Sequence, residues 1–246
     1  ELAPDRTGRM GIGSGIVADS TAASEWQECL LKAGFLRDCD PGLKLIETLR
    51  REAGSYSRLS GHLARLRRSV AWFGFACDEA LLRQRLDSMP ASGTWRVRLT
   101  LGNSGEIDVQ AFPLGDEPAF PRLARLATAT IDSADPLRRH KTTARPLYDE
   151  ALHGLGADSP VFDVVFLNER GEVAEGARSN VFVKRDGGLL TPPLSSGALP
   201  GVLRAELLAS GRASEAVLLP EDLQQGFWLG NALRGLIPVR MESPAA

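Results

Sequence analysis

Residues 161–184 read VFDVVFLNERGEVAEGARSNVFVK, and the fold follows from how this stretch divides. VFDVVFL (161–167) is an apolar, β-branched run of strand length. NERGE (168–172) is a polar turn with a glycine, and residues 179–184 return to a strand, leaving Glu175 between the two. Toward the C-terminus, Pro200 suits the first turn of a helix over 200–210, since it lacks the amide that would go unpaired there. Strands at 215–219 and 236–240 complete this half. Toward the N-terminus, a helix near 145–154 comes first, and the polar run DSADPLRRH (132–140) breaks both periodicities and reads as a linker.

Beyond the linker, Trp95, Val97, Leu99 and Leu101 alternate with Arg96, Arg98 and Thr100. GNSG (102–105) turns the chain, and Ile107, Val109 and Ala111 alternate with Asp108 and Gln110, which predicts a hairpin. Leu59, Leu63, Leu66, Val70 and Phe73 mark one face of a helix, a second helix is expected at 78–88, and LKLIETLR (43–50) reads as a strand followed by a turn at 52–54. At the start, GIGSG (11–15) leads into a short strand at 16–19, then a helix over 21–34 capped by Ser20 or Thr21, and DCDPG (38–42) marks a boundary. Strands and helices mix without strict alternation. The expected architecture is therefore α+β with two lobes, 43–131 and 141–246, joined by 132–140, rather than a doubly wound sheet. Residues 1–36 stand apart, and a chain beginning with Glu1 is expected to be a piece of something longer.

The 246 residues, 43% of them hydrophobic and 24% charged, are ordinary for a globular protein long enough to build a core without disulfides. A net charge of −2 excludes a general nucleic-acid binder. Cys29, Cys39 and Cys77 form no Cys-x-x-Cys, which argues against a disulfide framework or a cysteine zinc site and points to a reducing cytoplasm. No apolar run approaches the roughly 18 residues of a membrane span, and no signal peptide is visible. GIGSG lacks the preceding strand and following helix of a dinucleotide turn. His62, His140 and His153 lack metal-ligand spacing, and no Gly-x-Ser-x-Gly occurs.

Lysine is scarce: Lys32, Lys44, Lys141 and Lys184 are the chain's whole complement, among 29 basic residues. Lys141 sits where the linker enters the second lobe. Partly buried near cations it would be an amine nucleophile or base; solvated, it is a linker lysine, and position alone leaves both readings open. Glu175 is either a carboxylate aimed at a cofactor nitrogen or a charged turn residue. In ALPGVLRAE (198–206), Gly201 permits close backbone approach, and the amides of Val202 and Leu203 at a helix N-terminus suit a phosphate; many such termini bind nothing. Arg65, in GHLARLRR, is a phosphate partner or part of a solvated helix face. Asn231 and Ala232 mark a further tight turn.

Taken in order, LSGHLARL (59–66), HKTT (140–143), EVAEGARSNVFV (172–183), LPGVLRAELL (199–208) and LGNALRGLIPV (229–239) resemble the class IV aminotransferases, pyridoxal-phosphate enzymes of fold type IV. The resemblance covers about 43–246 and is strongest to the aminodeoxychorismate lyase branch, in particular to the form fused behind component I of aminodeoxychorismate synthase. GIGSGIVADSTAASEWQECLLKAGFL then resembles the tail of the chorismate-binding domain, with Glu25 and Glu28 matching magnesium glutamates; as a remnant it holds no complete site.

The resemblance implies roles. Lys141 matches the lysine that joins the cofactor, and Glu175 the carboxylate on the pyridine nitrogen. Arg65, the amides of Gly201, Val202 and Leu203, and the turn at Asn231 and Ala232 match the phosphate contacts. Thr48 matches a threonine near the substrate. Leu203 and Ala232 stand where many relatives carry hydroxyls. Tyr148 lies seven residues after Lys141 rather than five, which counts against a branched-chain enzyme. Arg96, Arg98, Arg145 and Arg178 are the candidates for substrate carboxylates. The expected activity is 4-amino-4-deoxychorismate lyase, in a cytoplasmic homodimer acting on a small molecule without a metal. The alternatives are a transaminase for D- or branched-chain amino acids, or an accessory domain that has lost its chemistry.

Overall fold

The computed structural model describes residues 11–32, 42–115, 122–156, 159–185 and 187–242. The chain divides into two compact units, 1–43 and 44–246. In the first, helix α1 spans Ala22–Lys32. Thr21 Oγ1 caps it by accepting from the Ser24 amide at 3.2 Å. Lys32 Nζ pairs with Glu28 Oε1 at 2.6 Å, one turn apart, so Glu28 is engaged within its own helix. The strand expected at 16–19 is absent. Val17–Ser20 is a turn instead, with the Ser20 amide donating to Val17 O and the Val17 amide to Ser20 Oγ, both at 3.0 Å. The serine side chain offers the backbone a local partner in place of a neighbouring strand. The expected helix end at 33–34, Cys39 and most of the 38–42 boundary lie outside the described residues.

The second unit opens with β1 (Leu45–Glu52), β2 (Ser55–Tyr56), α2 (Leu59–Phe73), α3 (Glu79–Asp87), β3 (Thr94–Leu101) and β4 (Ile107–Pro113). The strands form an antiparallel sheet in the order β2-β1-β3-β4. Ala53 and Gly54 make the β1–β2 turn with φ of 45° and 80°, the left-handed pair that a two-residue hairpin loop requires. Strand alternation sorts the side chains as expected. Leu45, Leu49, Val97, Leu99 and Leu101 pack on Leu63, Leu66, Leu82 and Leu86 of the two helices. The register puts Thr48 opposite Arg98 and Arg50 opposite Arg96, so these four share the other face.

The larger sheet comprises β5 (Arg122–Leu126), β6 (Val161–Leu167), β7 (Val173–Gly176), β8 (Asn180–Arg185), β9 (Gly188–Thr191), β10 (Ala213–Glu215), β11 (Phe227–Asn231) and β12 (Gly235–Met241). Helices α4 (Pro146–His153) and α5 (Val202–Ala209) accompany it. Its order is β10-β9-β8-β11-β12-β5-β6-β7. β5, β7, β9 and β11 are not legible as strands in the sequence, and Glu175, expected between two strands, lies within β7. β5 pairs with β12 and β6, so it belongs to this sheet although it precedes 132–140. The strand expected at 215–219 lies at 213–215 instead. The apolar run AVLL (216–219) continues beyond the sheet, with Leu218 buried and Val217 and Leu219 exposed.

β7 and β8 are separated by five strand steps, about 24 Å on a flat sheet at roughly 4.8 Å per step. The link at 177–179 spans at most about 14 Å, so the sheet must curl until β7 and β8 meet. They do: the Gly176 amide donates to Ser179 O at 2.7 Å. Asp163, fully buried in β6, holds this junction. It accepts from the Ser179 hydroxyl, from the Arg178 amide at 3.2 Å and from the Val164 amide at 2.9 Å. Burial pushes the Asp163 carboxyl up and the Ser179 hydrogen bond opposes it. Asp163→Ala strands buried donors at the seam and is expected to lower the unfolding free energy by about 1–3 kcal/mol, measured by urea denaturation; an unchanged midpoint would show that the seam does not depend on this carboxylate.

Candidate active site

Lys141 is rooted on the edge of the first sheet. The Ile46 amide donates to Lys141 O at 2.8 Å, the Thr143 amide to Lys44 O at 2.9 Å, and the Lys44 amide to Thr143 Oγ1 at 2.9 Å. The bridge pairs Leu45 with Thr142, which sets Lys141 across from Ile46, on the sheet face that carries Thr48. The side chain is partly buried and no carboxylate among the described residues lies within ion-pairing distance of Nζ. Burial holds the amine down at about 7, with Arg145 and Arg65 adding to the effect and Glu47 and Glu175 opposing it.

Glu175, 6% exposed in β7, faces the same region. Its Oε1 accepts from the Tyr148 hydroxyl and its Oε2 from the Leu199 amide at 2.9 Å. Burial raises its carboxyl, and these hydrogen bonds work in the other direction. The Leu199 contact ties the loop before α5 to this carboxylate. Gly201 caps α5 without a side-chain partner, so the first amides of the helix, those of Val202 and Leu203, have no partner within it. A Cβ at Gly201 would lie 1.9 Å from Asn180 Oδ1, so only glycine fits. Leu203 packs with Phe182, Leu207 and Ala213, leaving its amide as the group it can offer. Gly230 of β11 lets the Leu203 side chain approach, bringing the Asn231–Ala232 turn beside the helix terminus. The Asn231 side chain is committed to that turn: Oδ1 accepts from the amides of Leu233 and Arg234 at 3.1 and 3.0 Å, and Nδ2 donates to Arg178 O.

Arg65 is buried, not on a solvated face. Its Nε and Nη2 donate to the two oxygens of Glu47 at 2.8 and 2.6 Å, which leaves Nη1 to turn elsewhere. His62 Nδ1 lies 2.6 Å from Glu47 Oε2. Burial would raise Glu47, but Arg65 and His62 outweigh it and hold the carboxyl at about 2. Gly61 packs against Val202, so α2 delivers this cluster alongside the N-terminus of α5. Glu47 is the residue that the sequence reading missed, although a signal was there: it alternates with Leu45 and Leu49, and a carboxylate in line with core leucines needs a buried partner.

The four arginine candidates separate. Arg145 donates to Asp149 Oδ1 at 2.9 Å and to Ala177 O at 2.5 Å. Arg178 donates to Phe162 O and lies over that ring. Both are engaged in holding the fold. Arg96 and Arg98 are exposed on the Thr48 face, Arg96 stacking on Phe112 at 4.8 Å. Burial and the neighbouring Arg96 and Arg50 push Arg234 down, so positive charge gathers on this side.

An amine held near 7 is mostly neutral at pH 8, whereas an ordinary lysine is protonated up to about pH 10. Acylation by a limiting amine reagent, read by peptide mapping, is expected to label Lys141 with a rate that rises through pH 7 and levels above it. A Lys141 profile still rising steeply above pH 9, as an ordinary lysine's does, would refute the neutral amine.

The class IV aminotransferase profile matches residues 44–241. The chain is 29% identical over 180 residues to a protein of Schizosaccharomyces pombe provisionally named aminodeoxychorismate lyase, covering 70% of this chain and 78% of that one. A crystal structure of a Mesorhizobium loti protein provisionally named an amino-acid aminotransferase is 42% identical, with a TM-score of 0.74 over 81% of this chain and all of that one. The 4-amino-4-deoxychorismate lyase of Pseudomonas aeruginosa is 26% identical, with a TM-score of 0.65 over 80% and 82%. Enzymes of this family depend on pyridoxal 5'-phosphate. The neutral amine, the buried carboxylate, the guanidinium and the uncapped glycine-led helix terminus described above suit that group. The match over both sheets places the second unit, and with it the site, in the class IV aminotransferase family.

Proposed function

We propose that the chain is a 4-amino-4-deoxychorismate lyase, releasing pyruvate and leaving 4-aminobenzoate. Lys141 carries the reading: its amine is held down at about 7, has no carboxylate within ion-pairing distance among the described residues, and is rooted between the face bearing Thr48 and the carboxylate of Glu175. The S. pombe relative, matched across most of both chains, supports the lyase over its sister activities. In this reading Lys141, Glu175, Arg65 with its free Nη1, the amides of Val202 and Leu203 behind Gly201, whose own amide donates to Leu199 O at 2.7 Å, and the turn at Asn231 and Ala232 hold the cofactor.

Bound pyridoxal phosphate supplies an aldehyde that takes up amines and a ring that withdraws electrons from the neighbouring carbon. The rest is done by the chain. Lys141 takes the proton from the substrate carbon that bears nitrogen, for which it must be neutral. The enolpyruvyl C–O bond on the adjacent carbon then breaks, and Lys141 or Thr48 returns a proton to the leaving group. Glu175, fixed by two donors, holds a proton at the ring nitrogen. Arg96 and Arg98, exposed on the Thr48 face, bind the substrate carboxylates, while Arg145 tunes Lys141 and Arg178 braces the seam. We also propose a homodimer, since two-fold dimers are the commonest soluble oligomers, a cytoplasmic location, and a 1–36 segment left from a fused synthase domain. Among the described residues no helix is long and apolar enough to cross a membrane.

The second reading, a class IV aminotransferase for D- or branched-chain amino acids, draws on the 42% identity to the M. loti protein. The two differ in stoichiometry, because an aminotransferase must pass its amino group to a keto acid. Incubation of the holoenzyme with aminodeoxychorismate alone is expected to yield pyruvate and 4-aminobenzoate in equal amounts. Turnover that starts only when a keto acid is added would favour the aminotransferase. Borohydride reduction is expected to fix the cofactor on Lys141, and label on Lys32, Lys44 or Lys184 would remove the assignment. Lys141→Ala is expected to abolish both products. Glu175→Ala is expected to slow turnover while part of the cofactor is retained.

A further inference from the structure

The donor on Glu175 Oε1 is the end of a longer chain. Tyr148 Oη accepts from Arg138 Nη1 at 2.6 Å. Its ring lies 5.5 Å from the Arg138 guanidinium and 5.3 Å from that of Arg145, with Phe166 edge-on at 4.9 Å. Three segments supply the parts: Arg138 from the helical turn at Pro136–Arg139, Tyr148 from α4, and Glu175 from β7.

The direction of the chain is fixed by the inventory of its groups. A guanidinium can only donate, and an ionised carboxylate can only accept. The phenol between them must therefore accept from Arg138 and give its single proton to Glu175. Reversal would require Arg138 to accept.

We propose that Tyr148 and Arg138 are positioning residues that keep the Glu175 carboxylate ionised and aimed, with the charge of Arg138 relayed through the phenol to Oε1. Without them burial would favour the neutral acid, which has a proton of its own to place and no fixed orientation. Burial also raises the phenol far above its ordinary range, with Glu175 adding to the effect, which keeps the hydroxyl proton on Tyr148. Leu199, the second donor, is a main-chain amide and cannot be tuned by substitution; Tyr148 and Arg138 can. The proposal deepens the role given to Glu175 above, but it concerns the carboxyl itself and is tested without cofactor or substrate, so its failure and that of the lyase reading are separable.

The test is a pH titration of the full chain labelled with glutamate carrying 13C at the side-chain carboxyl, with the Glu175 signal identified by its absence in Glu175→Gln. Tyr148→Phe keeps the ring and its packing. It is expected to raise the Glu175 midpoint by about one pH unit or more. Arg138→Met is expected to raise it too, and to raise it less in the Tyr148→Phe background. A folded Tyr148→Phe protein whose Glu175 midpoint equals the wild type would overturn the proposal, because a purely structural tyrosine leaves that titration in place. A second variant removes the dependence on folding. Tyr56 and Tyr148 are the chain's two tyrosines, so 3-fluorotyrosine incorporated into a Tyr56→Phe chain places a more acidic phenol at 148 alone. A stronger donor lowers the Glu175 midpoint; no change, or a rise, refutes the relay.

Discussion

The main-chain bridge between Lys44–Ile46 and Lys141–Thr143 is the constraint from which the site is laid out. It fixes the root of a lysine with a strongly lowered amine to the rim of a four-stranded sheet. The same segment then runs directly into α4, whose Tyr148 reaches the carboxylate of β7 in the other sheet. One short stretch of chain thus references the amine to the first sheet and the acid to the second. Relaxing either hydrogen-bonded end would let the two groups drift independently.

Within that frame burial is the largest influence on the amine, and charges of both signs act beside it. Arg65 and Arg145 act on Lys141 in one direction, Glu47 and Glu175 in the other. Glu47 earns attention as a moderating element. By gripping Arg65 through two nitrogens it dilutes a cation that would otherwise press the amine further down, and it remains ionised throughout the physiological range. Such a buried pair is expensive to assemble and more expensive to break on one side, which suits a device whose purpose is a fixed geometry rather than added stability. The Nη1 of Arg65 that Glu47 leaves over and the helix terminus near it gather donors in one place.

Much of this was legible in the sequence where local pattern and local structure coincide. The hairpin of Trp95–Leu101 with Ile107–Ala111, the helix carrying Leu63 and Leu66, and the strand at 161–167 are all set by periodicity that packing then respects. The failures share a cause. β5 (RLARL) is short and broken by two arginines, and it exists because β12 and β6 flank it. AVLL has the apolar content of a strand but leaves the sheet after Glu215. Arg65 looked solvated because its partner, Glu47, lies on another element. Thr48 drew notice in LIETLR, while its neighbour Glu47 is the residue turned inward. Burial of a charge is a property of pairs, and a pair split across β1 and α2 leaves only half a signal in either segment.

The placement of β12 has a consequence for how the molecule is made. The last strand of the chain lies in the interior of the larger sheet, between β11 and β5, and joins Val239 to Arg122. During synthesis the sheet remains in two halves until the C-terminal residues emerge. The smaller sheet, whose pairings are local, can assemble long before. Contacts this distant in sequence are slow to form, because the entropy of closing the intervening chain is spent before they reward it. The lysine is therefore anchored early, and the carboxylate it must face comes into register late. A nascent chain carries the lysine without the burial that lowers its amine and without its counterpart, and both arrive only as β12 docks.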